Sequence, residues 1–136
     1  MKTPLLVTAV SDAAPYVVTL RDRSGHEWLA DEPRESGGTD AGPNPHQLLL
    51  SALGACTSIT LRMYAARNGW PLTGVEVVLE FNPAGPPAGG GSDIRRRITL
   101  HGGLSAEQRV RLLEIANRCP IHKVLTGELR IESSLT

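Results

Sequence analysis

The sequence is sparing with the residues that usually announce a function. Its 136 positions hold two cysteines, one Phe, two Trp and two Tyr. So few aromatics argue against a base-stacking surface for nucleic acid. Lys plus Arg equals 14 and Asp plus Glu equals 14, so no net field draws in a polyanion or an anionic lipid surface. No run is expected to reach the roughly 20 apolar residues of a membrane span. The N-terminus carries one positive charge and an apolar stretch too short for a secretory signal, so a cytoplasmic protein is expected. Neither a C-x-x-C nor an H-x-x-x-H pair is present. Cys56, Cys119, His46 and His122 are ligand types without ligand spacing, and no metal is expected. Ser51 and Ser58 lack a nucleophile elbow. The Gly-rich stretch 85–91 lacks the Lys and following helix of a phosphate loop.

What is present reads as one α+β domain over 1–136. Apolar, β-branched runs at 4–10, 15–21 and 26–30, separated by polar turns, predict an antiparallel meander. The stretch 31–44 is polar and rich in Gly and Pro, a loop long enough to be functional or mobile. Asn44 is a good N-cap and Pro45 a favoured first helical residue, for a helix running to about Asn68 and closed by Gly69. Leu49, Ala52, Cys56, Ile59 and Met63 form a stripe on it, and Leu48, Leu50, Leu53 and Ala55 make its first half apolar nearly all round. Such a helix is expected to be buried on most sides. Residues 75–81 and 94–100 predict a strand pair with Ile94, Ile98 and Leu100 inward and Arg95 and Arg97 outward. The run Arg95-Arg96-Arg97 reads as a solvated face. Ser105 to Gln108 resembles a capping box one position out of register, ahead of a helix ending near Arg118. Val110, Leu113, Ala116 and Asn117 mark one side of that helix, widened by Leu112 and Ile115. Cys119-Pro120 breaks it and starts a short helix to about Thr126, and 128–135 reads as a last strand.

The two cysteines are either two buried thiols or a redox couple, since stable disulfides are rare in the cytoplasm. Cys56 lies mid-helix on the apolar stripe, three turns from the helix N-terminus and so beyond reach of its dipole, and looks structural unless a cation stands nearby. Arg34 in the long loop is the favoured cation; Arg62, at i+6, falls on the opposite side of the helix. Cys119 is the N-cap of a short helix, where free N–H groups favour a thiolate, with His122 one turn on. A small residue fitted into a helix corner is the alternative there.

Gly42-Pro43-Asn44-Pro45-His46-Gln47-Leu48, followed by Ala52-Leu53-Gly54-Ala55-Cys56-Thr57, resembles the N-P-x-x-L and A-C signature of the OsmC/Ohr family. Ile115 to His122, with Cys119-Pro120-Ile121-His122, resembles that family's second-cysteine corner. The order of elements matches over nearly the whole chain. The resemblance implies an intertwined homodimer in which antiparallel sheets pack around long, buried central helices. It implies that Cys56 is the peroxidatic and Cys119 the resolving thiol of an oxidative-stress peroxidase with no bound cofactor. Cys56 would attack a small organic hydroperoxide, and an external dithiol, of lipoyl type in the hydroperoxide-resistance branch, would reduce the resulting disulfide. An apolar pocket around Cys56, lined by Leu49, Leu53, Ile59 or Met63, with His46 and His122 near the substrate, would favour organic hydroperoxides. One departure stands out. The family usually carries Glu directly after N-P, holding an Arg against the thiolate, and this chain has His46, which cannot serve as an anionic clamp. A binding or structural dimer on the same fold, and a thiol–disulfide transferase using the same cysteine pair, are the rival expectations.

Overall fold

The computed structural model describes residues 3–136, and the chain clusters into two compact units, one up to Leu49 and one from Leu50 to Thr136. In the first, β1 (Val7–Ser11), β2 (Val18–Asp22) and β3 (Glu27–Ala30) form the expected antiparallel meander, in the order β1-β2-β3. The loop after β3 is organised around a carboxylate. Asp31 is 2% exposed. It accepts hydrogen bonds from the Glu32 N–H (2.7 Å), the Thr39 N–H and hydroxyl (3.1 and 2.7 Å) and the Ala41 N–H (3.0 Å). Gly38 is obligatory beside it, because a Cβ there would fall 1.9 Å from the Glu32 carbonyl oxygen.

These bonds, the one from Ala41 foremost and then that from the Thr39 hydroxyl, hold the Asp31 carboxyl down at about 2. A depressed carboxyl stabilises the fold above its unfolded value of 3.8 and loses that contribution as the pH falls through about 2. Asp31→Asn is therefore expected to melt several degrees lower than the wild type at neutral pH. Melting curves on the two proteins should converge as the pH is taken from 3.8 towards about 2; a constant gap would show that the carboxylate is not what anchors the loop.

The helix α1 (Pro45–Arg67) links the units and begins where the Asn-Pro signal placed it. Asn44 and Gln47 cap it reciprocally, each side chain accepting the other's backbone N–H at 2.9 Å. Gly69, at φ +65°, follows its end. Its 23 residues are long and apolar enough, by length and composition, to cross a bilayer, which corrects the expectation that no segment approaches that size. Its burial is also narrower than expected. Leu53, Thr57, Leu61 and Ala65 are the buried residues, a line about 140° around the helix from the centre of the predicted stripe. Leu49, Ile59 and Met63 are 40%, 55% and 56% exposed, and Cys56, on the same stripe, is half-buried. The neighbours decide this. Gly54 lets the strand β4 (Gly74–Phe81) close on the helix, since a Cβ there would sit 2.9 Å from Leu79 Cδ1.

β4 pairs antiparallel with β5 (Ile94–His101), placing Val77 opposite Ile98, Leu79 opposite Arg96 and Phe81 opposite Ile94. Cross-strand partners share a face. Arg96 therefore stands on the inner face with Ile94, Ile98 and Leu100, and the reading of all three arginines as solvated is corrected for this one. The hairpin loop closes at its base through two bonds between Asn82 and Asp93, each 2.7 Å. The helix α2 (Ala106–Ala116) has a capping box in ideal register, Ser105 with Gln108 at N3. It buries Leu112, Ile115 and Ala116, which join Leu61, Ala65 and Leu72 in the core, while Val110 and Leu113 are exposed. The expected side of α2 is thus shifted towards the residues that only widened it. The short helix α3 (Pro120–Thr126) has Cys119 as N-cap and Pro120 at N1, as predicted. No strand forms over 128–135, where Leu129, Ile131 and Leu135 are exposed. β-Propensity alone does not make a strand without a partner, and among the described residues this segment pairs with none.

Candidate functional site

The second unit brings the cysteine-bearing segments to one cavity. In mid-helix α1, Thr57 is fully buried and its hydroxyl is committed twice: it donates to the Leu53 carbonyl at 2.7 Å and accepts from Arg96 Nη1 at 3.0 Å. Back-bonding to the i−4 carbonyl is how a helical Thr satisfies its hydroxyl. From β5, Arg96 also donates through Nη2 to Asn117 Oδ1 (2.9 Å) and meets His122 Nδ1 at 3.2 Å. His122 in turn donates its backbone N–H to Cys119 Sγ at 3.3 Å. Hydrogen bonds thus join the residue after Cys56, through one guanidinium, to the ring of His122, whose backbone N–H reaches the second sulfur.

Leu53, Ile94, Leu125, Arg96, His122 and Thr126 line a cavity of about 200 Å³ beside this path. Cys56 is three residues from Leu53 on the helix, a spacing that makes their side chains neighbours, and its Sγ lies 3.9 Å from Thr60 Oγ1. Cys119 is fully buried at the turn that delivers His122, Leu125 and Thr126 to the cavity. His122 is held below the ordinary histidine value, first by burial and then by the charge of Arg96. A neutral imidazole is what the contact demands, since Nδ1 can accept from Arg96 only when it carries no proton.

Of the residues picked from the sequence, Leu53 and His122 line this cavity, while Cys56 and Cys119 lie next to them in the chain's elements but outside its wall. Leu49, Ile59 and Met63 are not in the cavity wall. His46 stands exposed at the second position of α1. The helix is unbroken from there to Cys56, so ten residues separate them by about 15 Å along the axis. Arg34 is exposed in a 3-10 turn, Arg34–Ser36, of the first unit. Arg62 donates to the Leu72 carbonyl at 3.0 Å. Among the described residues no group of three or more His, Cys, Asp or Glu side chains converges as metal ligands. The residue that sequence reading missed is Arg96, although alternation along a strand with Ile94 and Ile98 inward already puts position 96 on the inner face.

Solved structures resemble this chain over almost its full length. An OsmC-like protein from Mycoplasma pneumoniae is 21% identical, with a TM-score of 0.75 over 93% of this chain and 90% of that one. An organic hydroperoxide resistance protein from Elizabethkingia anophelis, with thiocyanate bound, is 19% identical, with a TM-score of 0.68 over 93% and 91%. The organic hydroperoxide resistance protein OhrB of Bacillus subtilis is 22% identical, with a TM-score of 0.59 over 92% of each chain. At these identities the likeness is one of fold. No curated protein matches the sequence. The model of the OsmC-like protein family matches residues 37–134, some three-quarters of the sequence, and the chain belongs to that family.

Proposed function

We propose that the protein is a thiol-dependent peroxidase that reduces small organic hydroperoxides in oxidative-stress defence, working as a homodimer. The observation that carries this reading is the path Thr57–Arg96–His122–Cys119, which ties the Cys56 helix to the Cys119 corner around one partly apolar cavity. The names of the Elizabethkingia and Bacillus relatives point to the same chemistry.

In this reading the Cys56 thiolate attacks the terminal oxygen of the hydroperoxide. The S–O bond forms as the O–O bond breaks, and the alkoxide leaves and takes a proton to become an alcohol. Cys56 is now a sulfenic acid. The Cys119 thiolate attacks that sulfur, the S–S bond forms, and hydroxide leaves to become water. A dithiol of the lipoyl type then supplies two electrons by thiol–disulfide exchange. The exposed stripe Leu49, Ile59 and Met63 on α1 is the face a second copy would cover.

Thiol titration tests the reading. Reduced protein given one equivalent of cumene hydroperoxide is expected to lose both thiols rapidly. With Cys119→Ser it should lose one and accumulate a sulfenate that a dimedone-type reagent traps. Oxidation no faster than that of free cysteine would leave a binding module, and reaction with small disulfides alone would leave a transferase.

A further inference from the structure

We propose that the cavity beside Arg96 is a binding site for a small monocarboxylate with a short hydrocarbon tail, separate from the two thiols. The proposal goes beyond the peroxidase reading and does not depend on it, because Cys56 and Cys119 lie outside the cavity wall.

The wall has two unlike sides. Leu53, Ile94 and Leu125 make one of them apolar, and Arg96, His122, Ser92 and Thr126 make the other polar. Its one permanent charge is the guanidinium, and no Asp or Glu lines it. That combination separates it from the other described cavities that hold an arginine. Arg21 shares its wall with Asp12 and Glu27, Arg23 with Asp22, and Arg111 with Glu107 and Glu114. Arg109 has no acid in its wall, but it is exposed and already bonded to the carbonyl oxygens of Leu100 and Gly102. The rest of that wall is Leu and Ile, with no second polar group to orient a ligand.

Arg96 is half-buried, and its seat is built. The buried Thr57 hydroxyl, the Asn117 amide and the His122 ring hold it, and they leave N–H donors over for an anion. A side chain fixed in advance loses little freedom on binding. Partial withdrawal from water also strengthens its attraction for a carboxylate, whose geometry a guanidinium matches. His122 is held below the ordinary histidine value, by burial and then by the Arg96 charge, so it adds no second charge. A single positive charge suits a carboxylate better than a dianionic phosphate. The apolar side calls for hydrocarbon next to that carboxylate. At about 200 Å³ the cavity is smaller than the roughly 300 Å³ at which sites for drug-sized ligands begin, which limits the tail to a few carbons.

Calorimetric titration of the reduced, full-length protein with hexanoate tests the site, with hexanamide, acetate and inorganic phosphate as comparison probes. Hexanoate should bind saturably and about tenfold or more tighter than the uncharged hexanamide, the value of one hydrogen bond to a charged group. Affinity should climb from acetate to hexanoate by up to about fourfold per methylene buried, and phosphate should bind more weakly than hexanoate. Arg96→Gln is expected to weaken hexanoate about tenfold or more. Arg97→Gln, which removes a charge paired with Glu80 on the outer face of the same strand, should leave binding unchanged. If Arg96→Gln does not fold, Ser92→Glu places a carboxylate at an exposed position in the wall and should weaken hexanoate about tenfold, whereas Ser92→Gln should not. No saturable binding, hexanamide or phosphate bound as tightly as hexanoate, or wild-type affinity in Arg96→Gln or Ser92→Glu overturns the proposal. Each of those results leaves the peroxidase reading standing, since that reading is decided by thiol titration.

Discussion

Replacing Cys56 by serine is expected to reduce hydroperoxide consumption to the background rate, a loss on the order of a thousandfold or more, the scale seen when a covalent nucleophile is removed. Serine matches the shape of cysteine and leaves the helix intact, so the loss would be chemical. Its hydroxyl is not appreciably ionised near neutrality, and oxygen cannot take up the peroxide oxygen as sulfur does. Cys119→Ser should behave differently. The first oxidation needs only Cys56, so its single-turnover rate should stay close to wild type while recycling by dithiols slows or changes route. The fold gives this contrast a physical footing. Cys56 is half-buried, whereas Cys119 is wholly enclosed and already engaged as the cap of α3. Forming the disulfide must therefore draw Cys119 Sγ away from the His122 N–H. Stopped-flow oxidation of the three proteins decides the matter. Equal rates in wild type and Cys56→Ser would move the reactive sulfur to Cys119 or remove peroxide chemistry altogether.

Much of the fold was legible because local signals agreed with one another. Asn44-Pro45 and Gly69 bracket α1, Ser105 opens α2, and Cys119-Pro120 separates α2 from α3, each through capping chemistry that depends on neighbours in sequence. The burial of α1 was not legible for the opposite reason. With Leu48, Leu49, Leu50, Leu53 and Leu61 distributed around it, hydrophobicity does not choose a face. The choice falls to Gly54, which admits Leu79, and to Thr57, a polar residue that a search for apolar stripes passes over. The same holds for the site. Cys56, Cys119 and His122 carried their own chemical signal and a familiar motif, but Arg96 was hidden inside a run of three arginines whose parity matters more than its charge. Residues 128–135 failed in the other direction: their pattern is that of a strand, and pairing needs an edge that this chain does not place beside them.

Adjacent leucines on α2 should give opposite results, and the difference is large enough to fix the helix register. Leu112 is completely buried in the cluster formed with Leu61, Ala65, Leu72, Ile115 and Ala116, with Tyr64, Trp70, Val75, Ile98, Leu100 and Leu104 packed around it. Leu112→Ala removes about three carbons' worth of contacts from a site with no solvent to fill the gap, and is expected to cost about 3–5 kcal/mol. A loss of that size corresponds to a melting temperature lower by roughly 10–15 °C for a protein of this length. Leu113 is 56% exposed, and Leu113→Ala should cost about 0.5 kcal/mol or less in the isolated chain. The larger value depends on rigidity around Leu112. Tyr64 is fixed by its edge-on contact with Trp70, at 5.4 Å between ring centroids, and by the Arg111 Nε bond to its hydroxyl at 3.0 Å. Those constraints limit how far the wall can collapse into the cavity, and residual volume is what sets the penalty. Urea titrations of both variants, at several protein concentrations, provide the measurement. Equal midpoints would mean that α2 turns a different face to the core. A Leu113→Ala loss that grows on dilution would mean that a second copy of the chain covers that residue.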